Sequence, residues 1–446
     1  MGDSMITRRG GGGLNIDGLL DEYIVSSGSI SAGDFVKWVE NTKLLNGNAA
    51  STSGTGYKAV AQVDASRVVI VWLQGNSSSY YYAAAVVTIS NTSAIPGTTT
   101  RISDTFSKQS VGSMLLYSVG EGQYVFFDKN KANTSYWYTA RFLVNGTTIN
   151  LTSKLAYNTT LSAQNSAEIR QIDANTYITC CIDAYSSCYV SVFTYSNGAY
   201  TYSKNGNVNS GLVNYQARDI GMMKLQASGK YAFLHWYPGN SAFYVTYATI
   251  GDTKVTVTVP QKLANATLYP GGFGFCELSS NRYLVPCSFS STSTTMYFGA
   301  VVITTDTTRI TFGAKTQVSA TEYNLNHNGH VPVAVFRRSC GRAGILRCIY
   351  PLTSTSSYDI NYYGMTINGS TIALTTAETT VTKSSPQIPA VTNVNGKEVV
   401  LLEAAYQMGI YQIYDDVAKC NSDENVAGLA TENGTANNTI KVYHPA

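Results

Sequence analysis

The chain repeats one arrangement of apolar and polar positions. A short apolar run begins with a polar or charged residue, stays apolar for about five positions, and gives way to Ser, Asn and Gly. It reads RVVIVW at Arg67–Trp72, QYVFF at Gln123–Phe127, NTYIT at Asn175–Thr179, KYAFL at Lys230–Leu234 and RYLVP at Arg282–Pro286. A less regular copy is GILRCIY at Gly344–Tyr350, and a last one is KEVVLL at Lys397–Leu402. Taking the second residue of each run as an anchor, or the third in NTYIT, Val68, Tyr124, Tyr177, Tyr231 and Tyr283 follow one another by 56, 53, 54 and 52 residues, and the 115 residues from Tyr283 to Glu398 leave room for two further units. A period near 54 suits a unit of four strands with generous loops.

Each run is followed by an alternating, Tyr-rich segment. The copies are Tyr81–Ile89, Tyr136–Val144, Cys188–Tyr195, Ala242–Ile250, Met296–Thr304, Tyr358–Ile367 and Gly409–Asp416. Period-two alternation predicts half-buried strands. Thr-rich fourth strands follow in several units, at Thr147–Asn158, Lys254–Ala266 and Arg309–Val318. The seventh unit lacks one, and FVKWVENTKLLNGNA at Phe35–Ala49 supplies it: its TKLLNGNA parallels QKLANA at Gln261–Ala266. The expectation is an all-β, seven-bladed β-propeller closed by an N-terminal strand, since closure removes the open edge between the first and last units.

That closure predicts a domain plan. Residues 35–416 form the propeller, and residues 1–34 with 417–446 form a small β module on one face of the disc. YIVSSGSISAGDFV (Tyr23–Val36) turns at Gly33-Asp34, and VAGLATENGTANNTIKVYHP (Val426–Pro445) reads as two strands around an Asn-Gly-Thr turn. The opposite face carries the loops between second and third strands: Gln74–Tyr80, Asp128–Ser135, Asp183–Ser187, Tyr237–Ser241, Phe289–Thr294 and Leu352–Ser357. Small polar loops on a rigid scaffold are where binding is placed.

Composition narrows the function. Of 446 residues 44% are hydrophobic and only 13% charged, so Ser, Thr, Asn, Gly and 33 Tyr must supply the polar surface. A net charge of +3 with scattered Lys and Arg argues against nucleic acid. No apolar run reaches the length of a membrane helix, and the first residues have neither the apolar segment of a secretory leader nor a myristoylation motif. The basic cluster Arg337, Arg338, Arg342 and Arg347 reads as solvated hairpin arginines, with an anion site as its sharper alternative. The eight cysteines include hairpin-spaced sets, Cys180/Cys181 with Cys188, Cys276 with Cys287 and Cys340 with Cys348; reduced, half-buried strand thiols are expected.

Little here suggests catalysis. Nucleophile-elbow, phosphate-loop and dinucleotide motifs are absent. His327 and His330, with Glu322 nearby, have a spacing that can hold a metal but read more simply as a polar loop; His235 reads as a core or rim histidine. Only Glu168, Asp219 and Glu277 place acids in or beside the inner strands, where a propeller glycosidase would need them. No cofactor and no metal is expected. The candidate ligand contacts are aromatics assigned to loops of the binding face, Trp236, Tyr237, Tyr185, Tyr269 and Tyr323, because flat rings with a polar edge stack on sugars.

The two end segments, SISAGDFV and VAGLATENGTANNTIKVYHP, resemble the framing of propeller-like tail-fibre or appendage proteins of phages and prophages of Gram-positive bacteria. Related framing occurs in small β-domain phage capsid decoration proteins. The resemblance spans roughly 45 residues and carries over no catalytic residue. It implies a non-enzymatic virion component made in the host cytoplasm and multimeric in the particle. The end module would contact other virion proteins and the disc would meet host-surface polysaccharide. The alternatives are a capsid decoration or head-fibre protein without a ligand, and a glycan-cleaving propeller enzyme.

Overall fold

The structure is a computed structural model. It describes residues 18–445 apart from 46–49, 52–57, 76–78, 105–110, 131–135, 159–165, 183–186, 210–217, 238–241, 264–268, 271–275, 291–294, 320–322, 325–332, 339–341, 350–357, 376–378, 384–389, 395–396, 405–406 and 420–425. The chain forms two compact units, Lys43–Gln412 and Met1–Thr42 with Ile413–Ala446.

The larger unit is a seven-bladed β-propeller, and its blades are consecutive antiparallel meanders. Blade two shows the plan without interruption: Val111–Gly120, Gln123–Asn130, Tyr136–Asn145 and Thr148–Asn158, each strand paired to the next. The other second strands are Arg67–Gly75, Thr176–Ile182, Lys230–Tyr237, Arg282–Ser290, Arg342–Ile349 and Lys397–Ala404. In blades one to five these strands bury apolar residues on both sides, because both of their faces are covered. Val68, Ile70 and Trp72 pack with Val394, Val399 and Ile410 of blade seven, whereas Val69, Val71 and Leu73 pack with Tyr124, Phe126 and Phe142 of blade two. Further clusters of the same kind join blades two and three, three and four, four and five, and five and six.

Several outer strands are broken where the expectation was a continuous fourth strand. In blade one Ala94–Pro96 and Thr100–Arg101 both pair with Tyr80–Ile89; in blade four Val255–Val257 and Gln261–Lys262 both pair with Ala242–Ile250. Thr371–Leu374 and Thr379–Lys383 do the same in blade six. Blades two, three and five carry a register shift at the corresponding place. A bulge there adds local twist to the strand at the rim of the disc.

The ring closes as the sequence suggested. The inner strand of blade seven, Ala390–Val394, lies between those of blade six, Val333–Arg337, and blade one, Lys58–Gln62. On its outer side the N–H of Leu45 donates to the carbonyl of Ile410 at 2.9 Å, and Ala50–Ser51 pairs with Gln407 and Met408. Leu45 is buried in the cluster shared by blades seven and one. Neighbouring blades are also latched by side chains. Arg67 donates to the carbonyl of Gly146, Arg282 to that of Gly369 at 3.0 Å, and Lys397 to Oδ1 of Asn91 at 3.0 Å. Each latch reaches from the start of a second strand to the turn between the third and fourth strands of the following blade, and Lys397–Asn91 makes the latch across the closure. The anchor tyrosines reach the other way: Tyr124 donates to the carbonyl of Gln62 at 2.9 Å, and Tyr283 accepts from the N–H of Lys224 at 3.0 Å.

The smaller unit is built from both chain ends. Gly18–Ile24 pairs with Thr439–Pro445, which pairs with Val426–Ala430, which pairs with Phe35–Lys37. Ser29–Ile30 pairs with Gly434–Thr435. Val25, Ile30, Val36, Ala430, Ile440 and Val442 form its core. The turn expected at Gly33-Asp34 is present: Gly33 has φ +90°, Asp34 Oδ2 accepts from the N–H of Ser31 at 2.8 Å, and Asn433 Oδ1 accepts from the N–H of Ala32 at 2.8 Å. Gly434 sits against Ile440, where an added Cβ would lie 2.2 Å from a methyl carbon.

If face packing dominates over the latches, Phe126→Ala should destabilise the propeller by about 3–5 kcal/mol, and Lys397→Ala by less than about 1 kcal/mol. Denaturant midpoints followed by tyrosine and tryptophan fluorescence compare the two.

Candidate functional site

The ends of the second and third strands, where the binding loops were expected, are more strand-like than the sequence suggested. Trp236 and Tyr237 are not loop residues: they are the last two residues of Lys230–Tyr237, paired with Phe243 and Ala242, and Trp236 is also opposite Arg218. Tyr269 begins the short strand Tyr269–Pro270, opposite Ser288, and Tyr323 begins Tyr323–Asn324, opposite Met296. The first belongs to an interrupted inner strand of blade five and the second to its interrupted outer strand. Tyr185 lies outside the described residues. In physical terms, the hydrogen-bond ladder runs on past the apolar run into residues that composition marks as loop.

Asp128 shows the same effect with a chemical consequence. It was assigned to a loop, but the second strand continues through Asn130 and Asp128 is fully buried. Its Oδ2 accepts a hydrogen bond from the phenol of Tyr82 in blade one. Burial, then the neighbouring Asp128 charge, pushes the Tyr82 phenol well above the usual tyrosine range.

His235 lies one residue before Trp236 and is a core residue with no exposure. Its Nε2 is 3.4 Å from Oγ1 of Thr246, itself buried. Burial holds its pKa down at about 3, so it is neutral throughout the physiological range.

The arginine group departs most from expectation. Arg337 is exposed, but Arg338, Arg342 and Arg347 are buried rather than solvated. Arg338 Nη1 donates to the hydroxyl of Tyr362 at 2.9 Å, and the Arg347 guanidinium stands 4.5 Å from the ring centre of Phe298 in blade five. A guanidinium keeps its charge when buried and finds aromatic faces and phenol oxygens there, which charge counting along a sequence does not anticipate.

The acids Glu168, Asp219 and Glu277 do fall on inner strands, Ser166–Gln171, Arg218–Lys224 and Cys276–Ser279 of blades three, four and five; Glu277 is exposed. His327, His330 and Glu322 lie outside the described residues. Among the described residues no group of three His, Cys, Asp or Glu side chains is placed to hold a metal. No helix of the described residues is long and apolar enough to cross a membrane. Cys180, Cys188, Cys276 and Cys287 form no disulfide, and Cys180, Cys188 and Cys287 are fully buried rather than half-buried.

No family model matches the chain, and no curated protein matches it. Solved structures with low similarity to it include two propeller domains. The Nup133 β-propeller domain of Vanderwaltozyma polyspora is 10% identical with TM-score 0.47, covering 84% of this chain and 97% of that one. A protein from Lactobacillus plantarum is 9% identical with TM-score 0.45, covering 81% and 97%. The propeller domain of the Trilobed protease from Pyrococcus furiosus is 8% identical with TM-score 0.38, covering 83% and 98%.

The environment of His235 sets a pH dependence. Its folded pKa of about 3 lies below the unfolded value of 6.5. The unfolded chain therefore binds the extra proton first, and stability falls as pH drops from 6.5 towards 3. Between pH 7 and 4.5 this group should cost about 2–3 kcal/mol. In His235→Leu, denaturation measured at both pH values should lose that part of the difference.

Proposed function

We propose that this chain is a structural component of a bacteriophage particle, an appendage or tail-fibre protein whose propeller adheres to host-surface glycans. The observation that supports this reading most directly is the smaller unit. The end segments that resemble the framing of phage appendage proteins come together, although some 400 residues apart in sequence, in a compact body with its own apolar core. An intervening propeller tied to such a unit suits a protein that is held at one place and presents a rigid surface at another.

On this reading the end unit contacts other particle proteins and the particle carries several copies. The propeller acts by binding rather than by catalysis. A surface with few charges and many Ser, Thr, Asn and Tyr side chains suits neutral polysaccharide, which is recognised by hydrogen bonds and stacking on aromatic rings. Trp236 and Tyr237 end the second strand of blade four immediately before its hairpin tip, and they are the residues on which we place sugar binding.

Purified protein should sediment with cell-wall polysaccharide of the host. Trp236→Ala and Tyr237→Ala should each weaken that binding by about tenfold, the loss of 1–1.5 kcal/mol of stacking, with unfolding midpoints showing that the propeller is intact. Unchanged binding in both variants moves the site elsewhere. Gold-labelled antibody on virions locates the protein: label on heads favours a decoration protein, and label on neither heads nor tails removes the particle assignment.

A further inference from the structure

Cys180 lies in Thr176–Ile182 and Cys188 in Ser187–Ser196, the two central strands of blade three. The register pairs Cys180 with Val190 and Ile182 with Cys188. The two cysteines are thus diagonal neighbours on one face of the sheet. Their sulfurs are 3.7 Å apart, no disulfide joins them, and neither residue has any exposure. Around them pack Ile178, Val190 and Val192 of the same blade and Met222, Tyr231 and Phe233 of blade four. Other cysteines are not placed this way. Cys181 is opposite Tyr189 in the register, while Cys276 and Cys287 belong to clusters on the two opposite faces of blade five.

We propose that Cys180 and Cys188 are a reversible disulfide site, reduced where the chain is made and oxidised by small-molecule disulfides outside that compartment. The sulfurs need to approach by about 1.7 Å to reach bonding distance, which for diagonal neighbours takes side-chain rotation together with a small backbone shift at the strand ends. Cys180 is the third residue from the end of its strand and Cys188 the second of the next, so opening of the hairpin end admits the reagent without separating the blades. One cysteine thiolate attacks a sulfur of oxidised glutathione and expels one glutathione thiolate. The second cysteine then attacks the protein sulfur of that mixed disulfide and expels the other glutathione. Two protein thiols lose two electrons and two protons, and one oxidised glutathione becomes two reduced ones. The bond closes a covalent ring around residues 181–187, which include Tyr185. Nothing in this inference depends on the particle assignment.

The full-length folded protein is equilibrated in glutathione buffers from fully reduced to strongly oxidised, blocked with N-ethylmaleimide, digested and mapped by mass. The expected result is a loss of two of the eight thiols, one cross-link joining Cys180 to Cys188, and its reversal by dithiothreitol. Cys188→Ser should abolish the cross-link and Cys181→Ser should keep it. Eight free thiols in the oxidised buffer, a Cys181–Cys188 cross-link, or an unresolved glutathione adduct would each overturn the proposal. Should Cys188→Ser not fold, the peptide map of the unaltered protein decides by itself.

Discussion

The second strands of blades one to five bury apolar residues on both of their faces, and from this one constraint the architecture follows. A sheet with two apolar faces cannot stand at the end of a stack, since either face left bare would expose a row of Val, Ile and Phe to water. Burying a side chain of that size contributes about 1.5–3 kcal/mol, so covering both faces of Val68–Leu73 outweighs any single hydrogen bond in the blade. A linear array always has two uncovered faces. A ring has none. The closing contact between blades seven and one is therefore the same apolar contact found between other neighbours, and Leu45, far from Ile410 in sequence, is buried in it. The charged latches at Arg67, Arg282 and Lys397 lie at partly exposed turns and align blades that apolar packing already holds.

The same constraint explains which parts of the structure were legible in the sequence. The central strands were readable because two-sided burial leaves an apolar run that no loop would carry, and the anchors were readable as a recurring tyrosine, whose hydroxyl in Tyr124 and Tyr283 reaches the backbone of the neighbouring blade. The outer strands were less readable. They are covered on the rim side only by solvent, so their sequence is weakly constrained, and the breaks at Gly97 and Pro260 interrupt a pattern that was already faint. Hairpin ends were misread for a different reason. Ladder hydrogen bonds are made by the backbone, and they continue through Asp128 or Trp236 whether or not the side chain looks like a strand residue.

The candidate site was legible only in part for the same reason. Aromatic residues could be picked out, but whether each stands in a loop or in a strand depends on register, which a single sequence does not contain. Tyr269 and Tyr323 belong to two-residue strands too short to leave any periodicity. The buried arginines were hidden because a guanidinium on a strand looks the same in sequence whether it meets water or the ring of Phe298.

One position of the repeat shows how a propeller of similar blades keeps them in order. Four residues after the anchor, the second strands of several blades direct a side chain at the preceding blade. This residue is Trp72 in blade one, Asp128 in blade two, His235 in blade four and Cys287 in blade five, all buried, and Arg347, like them the sixth residue of its second strand, lies in blade six against Phe298 of blade five. Its neighbour is the third-strand residue set by the register, Tyr82 for Asp128 and Phe298 for Arg347. An apolar residue at this position would fit almost any neighbouring blade. A buried carboxylate does not, because it costs several kcal/mol unless a donor such as the Tyr82 phenol is waiting for it. Exchanging blades two and six would set Asp128 against the face of Phe298, which offers no donor. The apolar strands thus require that a ring form, and these few buried polar residues make one order of blades within it lower in free energy than the others.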